Sequence, residues 1–305
     1  MKIKVLGSGA GGGFPQWNCN CPNCKGVRTG TIKATPRTQS SIAVSNHEGK
    51  DWVLINASPD IRTQLLRYPV FQPDRKIRDT ALVGVILVDA QIDHATGLLF
   101  LRETKKLDIY CTPAVHEDLT TQFPIFNILK AYCTINYHAI DLFTKLRFQV
   151  PGLPTLFFTP IPLEGKAPPY STHRDNPMVG DNIGLYIQDT HTGKSLFYAP
   201  GLAKIESEII NWMHQADCLL VDGTCWDEDE LIRHDISSKQ AADMGHIPQS
   251  GEKGMIAYLT EFKKQRKILI HINNTNPILK KESIEHKTLA QAQIEVAEDG
   301  MDIYL

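Results

Sequence analysis

Long apolar stretches are missing from this chain: the longest, Ala81 to Val88, runs for eight residues, well below the roughly 20 that a helix needs to cross a bilayer. No membrane span is expected. Charge of one sign is missing as well. Lys and Arg total 32 against 34 Asp and Glu, a net charge of -2, so no field is available to hold a phosphate backbone or an acidic bilayer, and neither nucleic acid nor a membrane is expected as a partner. The opening MKIKVLGSGAGGG lacks the apolar core and cleavage site of a secretory signal and reads as a strand entering a glycine turn, so a cytoplasmic protein is expected. A disulfide framework is absent too. The seven cysteines are an odd number, and Cys19, Cys21 and Cys24 crowd into six residues, which suits metal ligation in a reducing compartment better than pairing. Cys111, Cys133, Cys218 and Cys225 read as buried thiols. No repeat period is evident.

What is present is ordinary globular material, 42% hydrophobic and 22% charged, long enough for one large or two modest cores. Apolar, β-branched segments recur at Ile3 to Leu6, Ser41 to Val44, Trp52 to Ile55, Leu82 to Val88, Leu107 to Cys111, Ile183 to Ile187, Leu196 to Tyr198, Cys218 to Val221, Ile268 to Ile272 and Ile294 to Val296, and each predicts a strand. Helical patterns fall between the runs of strands. One spans Pro59 to Arg67, with Ser58 as cap, proline at the first position and Asp60 in the first turn; others lie at about Ala95 to Glu103, Ile205 to Gln215 and Glu252 to Lys264. This spacing predicts an α/β fold of mixed sheets sandwiched by helices rather than a barrel of βα units. Residues 151 to 169 hold six of the 18 prolines, so 151 to 181 reads as a long, ordered, functional surface loop. Trp17 and Trp226 read as core residues.

Gly7-Ser8-Gly9-Ala10-Gly11-Gly12 matches the G-x-G-x-x-G of dinucleotide-binding folds, but Gly13, Phe14, Pro15 and the cysteines follow where a helix should begin, and no acidic residue closes a second strand. A glycine turn beside an active site is the better reading. Two metal constellations carry more weight. Cys19, Cys21 and Cys24 place three soft thiolates where one further ligand would close a structural zinc tetrahedron; iron-sulfur binding would need a fourth cysteine nearby. The second constellation, Asp89-Ala90-Gln91-Ile92-Asp93-His94, stands where the most hydrophobic strand ends and a helix begins, the place where open α/β sheets hold ligands. Together with His271, at the end of another apolar strand, Asp93 and His94 would form a two-histidine, one-carboxylate triad with open positions, the arrangement of non-heme Fe(II) oxygenases.

The run Asp89-x-Gln91-x-Asp93-His94 resembles a degraded H-x-H-x-D-H motif of the metallo-β-lactamase superfamily, with Asp89 and Gln91 where two histidines of the first metal stand. Across nearly all 305 residues, the strings VLGSGAGGGFPQWNCNCPNC, TQSSIA, NASPDIR, QIDH, PPYS-x-HR, GDNIGL, FYAPGL, VDGT-x-W, MGH and HINNTNPIL resemble the coenzyme PQQ synthesis protein B family. The resemblance implies a single metallo-β-lactamase-like domain over 1 to 305, an αββα sandwich of two mixed sheets. It also implies a task in making pyrroloquinoline quinone (PQQ), with hydroxylation of the tyrosine ring of a Glu-Tyr-derived precursor and room for other PQQ biosynthesis proteins as partners. Superfamily members with the same cysteine insertion take a fourth zinc ligand from a histidine three residues after the last metal-binding histidine. Asn274 holds that position here, which leaves Asn274, a water or another histidine as the fourth ligand. Where the superfamily's bridging aspartate is expected, near FYAPGL, Pro200 and Gly201 stand, and this weakens two-metal hydrolysis.

The favoured expectation is therefore an oxygenase with Fe(II), or zinc in purified protein, on Asp93, His94 and His271, and O₂ as co-substrate. The alternatives are a single-metal hydrolase and a non-catalytic carrier that assists PQQ transport. Asp89, Gln91, His173 and Arg174 are candidate substrate-binding residues, the arginine through a bidentate fork for carboxylates. His246 is a candidate catalytic residue, as an orienter or a proton donor.

Overall fold

The computed structural model describes residues 1–144 and 147–305. In chain order the strands are β1 (Lys2–Gly7), β2 (Ser41–Ser45), β3 (Trp52–Ile55), β4 (Leu82–Ile86), β5 (Lys106–Cys111), β6 (Thr134–Ala139), β7 (Leu156–Pro162), β8 (Ile183–Asp189), β9 (Ser195–Ala199), β10 (Cys218–Asp222), β11 (Arg266–Ile270), β12 (Ile294–Val296) and β13 (Asp302–Tyr304). They form two mixed sheets, ordered β13-β1-β2-β3-β4-β5-β6 and β12-β11-β10-β9-β8-β7. Each sheet is antiparallel in one half and parallel in the other: β3 to β6 run parallel in the first, and β9 to β12 in the second. Parallel neighbours need crossovers. The helices supply them, among others Ile61–Arg67 between β3 and β4, Ser207–Gln215 between β9 and β10, and Met255–Glu261 before β11.

Alternation of side chains along each strand distributes them over three apolar layers. Val5, Ile42, Val53 and Ile55 of the first sheet meet Leu185, Ile187, Leu220 and Ile270 of the second in the layer between the sheets. On the outer face of the first sheet, Leu54, Val85 and Ile109 pack with Ile61, Leu98 and Phe126. On the outer face of the second, Leu219, Val221 and Leu269 pack with Ile209, Met213 and Leu259. A strand covered on both faces has no polar side, which is why its sequence reads as an unbroken apolar run. The expected αββα sandwich is the observed fold.

All ten expected strands are found, and three more that the sequence did not announce. Strand β7 lies inside the proline-rich stretch, so the expected loop is split into residues 151–155 before it and the longer stretch between β7 and β8. Its Pro160 and Pro162 are tolerated because β7 is the edge of its sheet, where a missing N–H costs no ladder bond. Strand β6 is the opposite kind of concealment: an edge strand of sequence TINYHA that is only partly buried. The helix expected from Pro59 starts at Ile61 behind Asp60, and Ser58 bonds Gln64 (3.0 Å) instead of capping it. The helix expected at Ala95 to Glu103 breaks into Ile92–Ala95 and a 3-10 segment, Thr96–Leu101. Trp17 is 86% exposed, contrary to its expected core role, whereas Trp226 is half-buried against the outer core of the second sheet. Cys111, Cys133, Cys218 and Cys225 are buried thiols as expected. Among the described residues no helix is long and apolar enough to cross a membrane.

One close contact ties the fold to the site. The Gly97 N–H donates to Ala57 O (2.9 Å) and the Ala57 N–H to His94 O (2.7 Å), and a Cβ on Gly97 would fall 2.2 Å from Ser58 O. Gly97→Ala is therefore expected to destabilise the protein by about 1–3 kcal/mol, as overpacking against backbone does, measured by urea denaturation; an unchanged midpoint would show that the turn has slack.

Candidate active site

Beyond β4 the chain runs through Leu87 and Val88 to Asp89, then turns into the short helix that carries Asp93 and His94. Beyond β11 it reaches His271, a non-glycine residue at φ 61°. The two strand ends belong to different sheets, and the glycine turn after β1 joins them: Ala10 N–H donates to Ile272 O (2.9 Å) and Ile272 N–H to Ser8 O (2.9 Å). The turn thus has the structural role expected for it beside a site. The dinucleotide reading fails, since the next helix starts only at Pro22.

Asp93, His94 and His271 converge. Asp93 Oδ2 lies 3.3 Å from His271 Nε2 and 3.9 Å from His94 Nε2, and the two rings meet edge to face at 5.3 Å. Each imidazole is tied at its other nitrogen: His94 Nδ1 to both Asp89 oxygens (2.9 and 2.8 Å), and His271 Nδ1 to Thr224 Oγ1 (2.9 Å). His94 Nε2 is buried and has no hydrogen-bond partner. An orphaned imidazole nitrogen beside a second Nε2 and a carboxylate is a donor set that fits a divalent transition metal, with the far nitrogens held as metal-binding histidines usually are. Burial works to raise the Asp93 carboxyl, but His94 and His271 outweigh it and hold it well below the usual carboxylate range. Burial likewise works to lower the His94 imidazole, and Asp89 and Asp93 outweigh it, bringing it up to about 9.

These residues open into a cavity of about 290 Å³ whose wall also includes Ala10, Gly11, Gln91, Arg174, His246 and Asn273. Gly11 lies close beside the carboxylate: a Cβ there would sit 3.3 Å from Asp93 Oδ2, a tight contact to which Asp93 would have to yield. Of the expected substrate-binding residues, Gln91 and Arg174 face the cavity. Asp89 touches it too, but its oxygens are turned onto His94 and the Gln91 N–H. His173 is placed apart from them: its Nδ1 bonds Asp181 (3.1 Å) within the loop, and the buried ring is not part of the cavity wall. Gly201 lines the cavity without bringing a carboxylate.

Asp222, Thr224, Lys166 and Lys239 were not singled out from the sequence. Asp222 closes β10, and burial, which would raise its carboxyl, is outweighed by His246, His271 and Thr224, which bring it below its usual value. His246 Nδ1 lies 2.7 Å from Asp222 Oδ2. The available signal was the string VDGT, an acidic residue ending an apolar strand at the same sheet edge as His271.

The cysteine cluster lies apart from this cavity. The sulfurs of Cys19, Cys21 and Cys24 all fall within 4.8 Å of one another. They do not share one loop: Cys21 caps the helix Pro22–Thr29 and Cys24 lies in its first turn. The Asn274 amide donates to Cys24 Sγ (3.3 Å) and faces Cys21 Sγ (3.8 Å). Three thiols and an adjacent amide are a donor set that suits zinc.

A model of the beta-lactamase superfamily domain matches residues 51–272. The coenzyme PQQ synthesis protein B of Nitrosococcus oceani is 57% identical over 310 residues, covering 100% of both chains, and that of Stutzerimonas stutzeri is 55% identical over 306 residues with the same coverage. The crystal structure of Zn²⁺-bound PqqB from Methylobacterium extorquens superimposes with a TM-score of 0.91 at 36% identity over 100% of both chains. With more than half of its residues shared along the whole length of such a relative, and with that relative's fold, the chain belongs to the coenzyme PQQ synthesis protein B family of the β-lactamase superfamily.

Proposed function

We propose that this protein acts in PQQ synthesis as an Fe(II)-dependent oxygenase that uses O₂ to hydroxylate the tyrosine ring of a Glu-Tyr-derived precursor. The donor set supports this reading best: Asp93, His94 and His271 offer one carboxylate and two imidazoles, while Asp89 is turned onto His94 and Gln91 is a poor transition-metal ligand. A pair of metals clamping water would need ligands that these positions do not offer. Iron bound here would supply the activation of O₂, which no side chain can provide.

The chain's own residues would do the rest. Lys166, Arg174 and Lys239 line the cavity, and their charge complements the carboxylates of a Glu-Tyr-derived substrate. Arg174 Nη1 is fastened to Ala167 O (2.6 Å), which steadies the guanidinium at the wall. Asp89 holds the His94 ring in place. His246, bound to Asp222 through Nδ1, would hold a proton at Nε2 for the reacting ring. At the second cluster, Cys19, Cys21 and Cys24 would hold a structural zinc, with Asn274 completing it through Oδ1 once the amide turns over. A second reading is favoured by the zinc in the Methylobacterium extorquens relative: a single-metal hydrolase that uses the same three ligands to activate water.

Four experiments test these assignments. Mass spectrometry of a Glu-Tyr dipeptide incubated with iron-loaded protein, a reductant and ¹⁸O₂ is expected to place label in the ring. Label from water alone, or a cleaved peptide bond, would support hydrolysis instead. His271→Ala should abolish this product and the cavity iron while the cysteine-bound zinc is retained. Arg174→Ala and Lys239→Ala should each raise KM roughly tenfold with little change in kcat, the loss of about one charge-assisted hydrogen bond; a fall in kcat alone would place them elsewhere in the mechanism. Replacing all three cysteines by serine should release the zinc and lower Tm by at least about 5 °C, roughly 3 kcal/mol for a chain of this size. Unchanged Tm and metal content would exclude a structural zinc there.

A further inference from the structure

At the cavity wall, Thr224, His246 and His271 form, with the buried Asp222 behind them, a cluster whose protons can be counted. The donor atoms of Asp222, His246 and His271 lie within 4.8 Å of one another, close enough to suggest a further metal. The contacts argue otherwise. Asp222 Oδ1 already accepts from Thr224 N–H (2.9 Å) and Thr224 Oγ1 (2.6 Å), and Oδ2 accepts from Leu202 N–H (2.9 Å) and His246 Nδ1 (2.7 Å). Four donors fill the carboxylate.

The Thr224 hydroxyl has one proton and four neighbours. Two can only accept it, Asp222 Oδ1 at 2.6 Å and His271 O at 2.9 Å; the others are His271 Nδ1 at 2.9 Å and His246 Nδ1 at 3.1 Å. The ionised oxygen at the shortest distance takes it, because charge-assisted hydrogen bonds are shorter and about twice as strong as neutral ones. The hydroxyl oxygen then has only lone pairs to offer His271, so His271 Nδ1 must carry the hydrogen. By the same count His246 Nδ1 donates to Asp222 Oδ2.

We propose that Asp222 and Thr224 are positioning residues that fix a hydrogen on Nδ1 of His271, so that Nε2, which faces Asp93 and the cavity, is the nitrogen left for a cation. The Thr224 carbonyl also accepts from Asn273 N–H (3.0 Å), which steadies the backbone just beyond His271, whose left-handed φ needs outside support. In its consequence for metal affinity, this inference rests on the reading of His271 as a ligand; the tautomer itself does not.

The test uses full-length protein labelled with ¹⁵N in its histidines. Two-bond ¹⁵N–¹H spectra of the metal-free protein, with His271 assigned from the His271→Asn variant, should show its hydrogen on Nδ1. Thr224→Val keeps the shape of the side chain but removes the hydroxyl; it should lose this tautomer preference and bind Co(II) at the cavity about 10- to 100-fold more weakly, with zinc at the cysteines unchanged. Thr224→Ser should restore both, which a general folding defect would not allow. A wild-type His271 with no hydrogen on Nδ1, or a Thr224→Val protein whose Nδ1 hydrogen and Co(II) affinity match the wild type, would overturn the proposal. If the tautomer behaves as expected but wild-type protein takes no Co(II) at Asp93, His94 and His271, the lock stands and the oxygenase reading fails.

Discussion

Two imidazole rings that hang from different sheets meet one largely buried carboxylate, Asp93, and most of what surrounds that point follows from this constraint. A carboxylate taken out of water is costly unless it is paired, and Asp93 is paired on both sides by His94 and His271. Each histidine needs a partner for its other nitrogen, or the ring is free to turn and to exchange tautomers. Asp89 serves one and Thr224 the other. Without a cation the arrangement still leaves His94 Nε2 unsatisfied, so the cluster is built for a guest that the protein's own hydrogen bonds do not replace.

The sandwich delivers these groups because both sheets change direction in the same way. In each, the parallel half ends its strands toward one edge, so the loops after β4, β10 and β11 carry Asp89 to His94, Asp222 to Thr224, and His271 to Asn274 onto a common border. The glycine turn after β1 pairs with the chain beyond His271 and closes the seam between the sheets. Gly11 then leaves room for Asp93 where any side chain would press on it. The glycines of the G-x-G-x-x-G pattern have reasons of their own: a Cβ on Gly7 would fall 2.1 Å from Gln39 O and one on Gly9 3.2 Å from Thr38 O, and Gly12 stands at φ 89°, so no nucleotide is required.

The legible part of this structure was the part where burial is complete. Strands such as Cys218 to Asp222, covered on both faces, leave no choice of side chain but apolar ones and so write themselves into the sequence. Edge strands do not: β7 carries prolines and β6 carries Asn136, Tyr137 and His138, residues that a half-covered edge accepts and a central strand would not. At the site, Asp93, His94 and His271 were legible because acidic and imidazole groups at apolar strand ends are out of place there. His173 looked similar but is consumed by Asp181 within its own loop, a pairing eight residues apart that composition cannot reveal. Thr224 was invisible for the opposite reason, since a threonine after a strand is commonplace and only its contacts with Asp222 and two histidines distinguish it.

The two donor sets are kept distinct by chemistry as well as by distance. Three thiols beside an amide favour a soft, tetrahedral ion, whereas a carboxylate with two imidazoles suits a harder one with open positions. They are nevertheless parts of one segment: His271 faces the cavity, Asn273 lines it, and Asn274 turns to the thiols. Asn23, between Cys21 and Cys24, donates to the carbonyls of Asn274, Thr275 and Asn276 (3.1, 2.9 and 2.9 Å). The cysteine helix therefore holds the backbone that follows His271 by three consecutive carbonyls, and Asn276 in turn bonds the carbonyls of Gly223 and Thr224 (3.0 and 3.2 Å). A histidine at φ 61° cannot rely on its own backbone preference to stay in place. It is fixed from the front by Asp93, from behind by Thr224, and along the chain by the helix of the cysteine cluster.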